Sequence, residues 1–517
     1  MPRFLWLLGL ATLAIPRPAA AGPPSLAYTI DLNHRADDLF KVTLAVQGLT
    51  ADNAVYQFAS TAPGTYQVMN IGRYVRRFEA FDGRGRPVPV EQVSVNQWRL
   101  SDPPKVRTIR YAIAETWDTE VDRDQVYLMC GTSIEQDHVL INPHAVIGYP
   151  TGMQTVPVRL RLLYPSGWKI GTALERGAGG QYQAESYDQL VDSPILLGRL
   201  SDARMQVTGV PIEIYTYSKT DRIKSARLLA AMKDMLQAAG RFLGTLPVNR
   251  YTFLYHFEDQ SAGAWEHSLS SEYVFQESAF TDSLGRYLTD IAAHEFFHIV
   301  TPLNIHSEII EHFNFVTPVP SRHLWLYEGT TEWAAHAMLL RSGLKSPEAY
   351  LEKIIEKMNT DRTAFDSSYS LRELSLTSYS DSGQKQYGNI YQRGALAAGL
   401  LDIRLLELSG GQRGLQDVIL ELTHRFGKQR AFPDSTFIDT LVAITNPEVQ
   451  DFFDRYVWES ERLPIREYYA KLGITLVENA EGAPVRFEMD PHPTEQQLLL
   501  REAWLGRKPR GATEKTE

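Results

Sequence analysis

From Ser25 to about Leu200 apolar and polar positions alternate with a period of two, as in Phe40/Val42/Leu44/Val46, Ile109/Tyr111/Ile113 and Val158/Leu160/Leu162. Successive side chains of a strand point to opposite faces, so this pattern predicts half-buried strands and a β-rich, sandwich-like domain over 22–204. Turns are expected at Asp82-Gly83 and Pro165-Ser166-Gly167. Near Ile223 the period changes. Leu228, Leu229, Met232, Met235, Leu236 and Phe242 recur at helical spacing, and Gly244 and Pro247 end the run. Strand-like runs at 251–257 and 273–275 follow, then helical patterns through Leu472. The chain therefore reads as multidomain α+β, its second domain over 205–475 mainly helical with a small β-sheet. A charged, Pro- and Gly-rich extension over 476–517, flexible at its end, is expected last.

Before these domains the chain reads Met-Pro-Arg, an apolar stretch from Phe4 to Ile15, then Pro16-Arg17-Pro18 and the alanines 19–21. That is the form of a signal peptide over 1–21, and the stretch falls short of the ~20 residues a membrane-spanning helix needs. An exported protein, periplasmic or secreted and without stable membrane insertion, is expected. The single cysteine, Cys130, cannot form an intramolecular disulfide and reads as a buried small hydrophobe. A chain of 517 residues, 44% of them apolar, buries cores that need no covalent staple. Its formal charge of −10, with no run of Lys or Arg, excludes a nucleic-acid surface.

Chemistry enters at His294-Glu295-Phe296-Phe297-His298, the pattern H-E-x-x-H, inside a helical segment from Leu284 to Val300 that stops before Pro302. Histidines at i and i+4 project from one helix face, so both imidazoles can reach one zinc at about 2.0–2.1 Å, with Glu295 placed as a base toward the attacking water. A catalytic zinc takes a third protein ligand. Glu328, which opens an apolar helical pattern through Leu339, is the best candidate, and His306 is its rival. Metzincin spacing after the second motif histidine is absent.

Beyond the motif, Gly263-Ala264-Trp265-Glu266-His267, Trp325 to Glu332 and Tyr391-Gln392-Arg393-Gly394-Ala395-Leu396 occur in the order seen in thermolysin-like (gluzincin) aminopeptidases. With Ala62-Pro63-Gly64-Thr65-Tyr66, Arg73-Tyr74-Val75, Tyr187 to Ile195 and Phe452 to Val457 added, the chain most resembles the glycyl aminopeptidase family over roughly residues 26 to 475. Two departures stand out. Where family members carry Trp-Asn-Val-Lys-Arg soon after the second zinc histidine, this chain has Ile299 to Ile305. Many members also end in a PDZ domain of some 90 residues, and too few residues follow Gly473 to hold one.

The resemblance implies a thermolysin-like catalytic domain and zinc-dependent hydrolysis of peptide bonds, with Zn2+ as cofactor and peptides as substrates. It places Tyr391 as the donor to the tetrahedral oxyanion, with Tyr387 one turn earlier as the alternative. Glu266, with Gly263 and Ala264 of the same motif, is placed at the substrate, where a carboxylate pairs with the α-ammonium and makes the enzyme an aminopeptidase. Two other readings stay open: a thermolysin-type secreted endopeptidase, and a non-catalytic zinc-containing binding protein. Glu332, one turn beyond Glu328, reads as a partner to a ligand or a solvated residue.

Overall fold

The computed structural model describes residues 24–507; the expected signal peptide and the last ten residues of the extension lie outside them. The alternating segment folds as predicted. Strands Ser25–Asp31 and Leu39–Gln47 bury every second side chain and lie antiparallel in an eight-stranded sheet, which two four-stranded sheets accompany. Cys130 is buried among these strands.

The second domain is built on a five-stranded sheet, in the order Ser201–Val207, Val210–Ser218, Tyr251–Glu258, Ser270–Gln276, Gly263–His267. Its first strand runs across residue 204. Every residue of the central strand Tyr251–Glu258 is buried, because both of its faces are covered. Tyr251, Phe253, Tyr255 and Phe257 point into the helical core, where helices Ser225–Leu243 and Asp282–Phe297 pack. Leu254, on the opposite face, packs with Leu140 and Leu196 of the first domain. The domains also exchange side chains: Tyr66 of the first sits in the helical core, while Trp265, Phe313 and Phe315 sit in the first domain's core.

The helix bearing the histidine motif starts a little earlier than its apolar pattern suggests, at Asp282, because the Thr281 hydroxyl caps it by accepting the Leu284 N–H at 3.2 Å. Its regular part ends at Phe297, with His298 still in a helical conformation, just before Pro302. The Glu328 segment begins at Trp325 as a π-helical stretch, Trp325–Thr330, and continues as the α-helix Thr331–Arg341. The helix Asn389–Leu408 crosses it and carries Tyr391.

Past Leu472 the chain forms a hairpin, Ile474–Glu478 with Pro484–Met489, and a helix, Glu495–Trp504. Both pack on the helical domain, with the Phe487 ring 4.7 Å from Tyr469 and the Trp504 ring 5.5 Å from Tyr350. Among the described residues no helix is long and apolar enough to cross a membrane.

Candidate active site

Two histidines and a glutamate meet in a cleft of ≈ 830 Å³ between the domains. The motif helix puts His294 and His298 on one face, their Nε2 atoms 3.1 Å apart. Glu328 arrives from the crossing segment, its Oε2 lying 3.4 Å from His294 Nε2 and 3.5 Å from His298 Nε2. All three are buried.

The far side of each ring is tied down. His294 Nδ1 meets Glu332 Oε2 at 2.8 Å, and His298 Nδ1 meets the Thr301 carbonyl at 3.0 Å. Both partners only accept hydrogen bonds, so each ring carries its proton on Nδ1 and turns an Nε2 lone pair to the centre. Two lone pairs and a carboxylate oxygen converging in a buried space call for a cation, and the His, His, Glu donor set suits zinc. The local field likewise favours a positive charge at the centre, which a second proton on His294 supplies when no metal ion takes the Nε2 lone pair. Burial favours neutral His294, yet the Glu328 and Glu332 carboxylates hold its pKa well above the usual histidine value, whereas burial pushes His298 down to about 4. Glu332 is itself fixed: its Oε1 accepts from Lys357 Nζ at 2.6 Å and from His336 Nε2 at 3.1 Å.

A second group, His138, His256 and Glu258, brings similar atoms together behind Trp117. There the two Nε2 atoms are 2.8 Å apart, and with Asp137 holding the His138 Nδ1 proton, a single N–H from His256 closes the pair without an ion. His306, the rival ligand, sits outside both groups with its Nδ1 on the Asn304 carbonyl at 2.8 Å.

Glu295, beside His294, lines the same cleft, and burial pushes its carboxyl up to about 7, with His294 opposing and Glu328 and Glu332 adding to the rise. Glu266 comes from the edge strand Gly263–His267. It has a carboxylate oxygen within 4.8 Å of ligand atoms of Glu295 and His298. Burial first, then Glu328 and Glu295, raise its carboxyl well above the usual range, so these carboxyls resist carrying their charges together unless a positive group joins them. Ala264 lines the cleft two residues earlier, and Gly263 opens the strand outside that lining. At Gly64 a Cβ would come within 2.7 Å of Glu266 Oε1 and of Trp265 Nε1, and the backbone there has φ +77°. Only glycine allows the first domain's loop to close so tightly on Glu266.

The Tyr391 ring lies 5.5 Å from that of His294, and its hydroxyl is 3.4 Å from that of Tyr387. Tyr387 in turn packs on Tyr66, ring to ring at 5.2 Å. Of the predicted site residues, His294, Glu295, His298, Glu328, Tyr391, Ala264 and Glu266 thus share one cleft.

The model of the M61 peptidase N-terminal domain matches residues 27–199, and that of the M61 glycyl aminopeptidase matches residues 287–397, a span holding His294, Glu295, His298, Glu328 and Tyr391. The chain belongs to the M61 glycyl aminopeptidase family. It is a peptidase by that membership. Among solved structures, the M61 chain is similar to an aminopeptidase N family protein from Idiomarina loihiensis. The identity is 22% and the TM-score 0.77, over 91% of this chain and 82% of that one. It is also similar to yeast LTA4 hydrolase, at 12% identity and a TM-score of 0.53, over 88% of this chain and 72% of that one. These likenesses establish the fold, a β-rich domain followed by a thermolysin-like helical one. No curated protein matches the chain.

Sequence reasoning missed the other wall of this M61 cleft. Tyr66, Trp117 and the stretch from Gln125 to Met129 line it from the first domain, and Gln384 ties the walls, donating to the Tyr66 carbonyl at 2.7 Å and accepting from the Tyr127 hydroxyl at 3.2 Å. The loop 62–66 carried a signal, its Pro-Gly turn. Trp117 carried none.

Proposed function

We propose that this M61 peptidase is a zinc-dependent aminopeptidase that removes residues from the free amino termini of peptides. The observation that carries the reading is the convergence of His294 Nε2, His298 Nε2 and Glu328 Oε2, with each Nδ1 occupied, beside a carboxylate, Glu295, outside the three. His294, His298 and Glu328 would hold the zinc, which when bound polarises the scissile carbonyl and acidifies water.

Glu295 takes the proton of the attacking water and returns it to the leaving amine, a role suited to a carboxylate whose affinity for protons burial has raised. The Tyr391 hydroxyl donates to the oxyanion that develops on the carbonyl oxygen as water adds to its carbon. Glu266 pairs with the substrate's α-ammonium. The crowding of Glu266, Glu295 and Glu328 favours a positive group there, and the loop around Gly64, packed against Glu266, limits room for residues upstream of the amino terminus. The leader-like residues 1–21 support an exported enzyme.

The test uses one peptide in two forms, with free and acetylated amino termini, together with metal analysis. The proposal expects about one zinc per chain, activity lost on chelation and restored by zinc, release of the first residue from the free peptide, and resistance of its acetylated twin. Glu266→Ala should narrow the difference between the two peptides. Internal cleavage of both at comparable rates would make this an endopeptidase, and folded protein without stoichiometric metal would overturn the zinc centre.

A further inference from the structure

Along the central strand Tyr251–Glu258, Leu254, His256 and Glu258 alternate with the core aromatics and share the face turned to the first domain. Opposite them the first-domain strand His138–Ile141 brings in His138. Its Nε2 lies 2.8 Å from His256 Nε2 and 3.6 Å from Glu258 Oε1. Both rings are buried. Glu258, whose other oxygen accepts from the ammonium of the exposed Lys219 at 3.1 Å, is the member nearest solvent.

The surroundings repeat the plan of the His294 site. There Glu332 holds the far nitrogen of one ring and Lys357 holds Glu332; here Asp137 Oδ1 holds His138 Nδ1 at 3.0 Å, and Arg199 Nε holds Asp137 at 3.1 Å. A carboxylate behind an imidazole turns its other nitrogen inward and makes it a better ligand. The second ring is free to choose. His256 Nδ1 is buried with no hydrogen-bond partner among the described residues, so its proton can stand on Nε2, where it bonds His138, or on Nδ1, where it leaves a second lone pair at the centre. Burial, then His138, hold its pKa well below the usual histidine value, which keeps the ring neutral. The rings of Trp117 and Tyr217 stack on His256 and His138 at 5.0 and 3.6 Å and fix their planes.

We propose that His138, His256 and Glu258 form a second, weaker site for a divalent transition-metal ion such as zinc, which staples the two domains together behind the cleft wall. As the ion enters, the His256 proton passes from Nε2 to Nδ1. No proton leaves the pair, and two imidazole nitrogens and a carboxylate oxygen supply the ligands. The local charge is suited to a cation, because Asp137, Glu258 and Asp259 outnumber Arg199 and Lys219, with which they pair. Loading has an order. At His294 and His298 both lone pairs already face the centre, whereas here the ion must break a ring-to-ring hydrogen bond, worth about 10-fold in affinity or more. A dialysed chain therefore keeps the first zinc, and the second is taken up from excess. Since its ligands come from both domains, its binding adds to their cohesion.

The experiment titrates the full chain, carrying its first zinc, with Zn2+ by calorimetry and follows thermal melting in parallel. A second equivalent should bind, and at about 100 times its Kd it should raise the melting temperature by about 2–5 °C. His256→Gln should keep the first zinc, weaken the second by at least 10-fold and cancel the rise. Glu258→Gln, at the solvent side of the group, should do the same without altering the buried rings. Glu328→Gln should do the reverse, weakening the first zinc and sparing the second. Uptake that stops at one equivalent in the unaltered chain would overturn the site. So would a second equivalent bound as tightly by His256→Gln and Glu258→Gln, which would assign it to exposed histidines such as His34 and His312.

Discussion

Gly329 and Gly394 meet backbone to backbone: a Cβ on Gly329 would lie 2.7 Å from the Gly394 Cα, and a Cβ on Gly394 would lie 2.9 Å from the Gly329 Cα. The segment bearing Glu328 and the helix bearing Tyr391 cross at this point, one residue after Glu328 and three after Tyr391. The contact thereby sets how closely the glutamate and the tyrosine approach the histidines. Gly329→Ala should gain up to about 1 kcal/mol of helix propensity and lose about 1–3 kcal/mol to overpacking, so the melting temperature should fall modestly. Activity should fall further than stability, because Glu328 is displaced with the backbone. Thermal melting and kcat/KM on one preparation check this, and unchanged activity would mean that the crossing does not position the site.

Glu295→Gln should keep the fold and the metal but lower kcat by about 10²–10⁴-fold, since glutamine has no basic oxygen for the water's proton. The pH profile adds a sign. A base must be deprotonated to act, so activity is lost as pH falls through its pKa. Burial sets Glu295 at about 7 before any cation is present; a bound divalent cation favours the charged carboxylate, so the acid limb of kcat/KM should fall below pH 7. That limb should be missing from whatever activity Glu295→Gln retains. Full activity in this variant would place the base elsewhere.

Glu332 holds His294 from behind and is held in turn by Lys357 and His336. Its charge steadies the Nδ1–H tautomer that frees Nε2 as a ligand. Glu332→Gln keeps the shape and removes the charge, and should weaken zinc binding by about 10–100-fold, read by competition with a chelator of known affinity. Lys357→Met should act in the same direction, since it strips Glu332 of its cation. Zinc affinity unaltered in both variants would assign Glu332 to packing alone.

The parts of this site that were legible in the sequence are those set by local geometry. The spacing of His294 and His298 follows from the helix period, and the strands of the first domain follow from alternation, because each such pattern needs only neighbouring residues. Glu328 was legible as part of a helical run, but its π-helical start was not: Leu324, Trp325, Leu326 and Tyr327 are all buried, and an element covered on every side shows no period. Lys357 lies 25 residues from Glu332, and Trp117 more than 140 from Glu266, so their meeting depends on how domains and helices pack. The hairpin beyond Ile474 was masked by its composition. Its second strand, Pro484–Met489, exposes Val485, Arg486 and Glu488 and turns Phe487 toward the ring of Tyr469.

Tyr391 and Tyr387 compete for one role, with hydroxyls 3.4 Å apart. The surroundings separate them. The Tyr391 ring is 5.5 Å from His294, and its hydroxyl acts directly on Glu328, helping the flanking histidines to keep that carboxylate charged against its burial. Tyr387 packs on Tyr66 instead, one turn farther out. A donor aimed at the oxyanion strengthens as charge develops on that oxygen, so its removal should lower kcat and leave KM nearly unchanged. Tyr391→Phe should therefore reduce kcat by about 10²–10³-fold, as loss of a well-placed oxyanion donor does. Tyr387→Phe should cost less than about 10-fold, through the freedom it gives the Tyr391 hydroxyl. Steady-state kinetics on the two variants decide between them: a large kcat loss from Tyr387→Phe, with Tyr391→Phe silent, would transfer the oxyanion role to Tyr387.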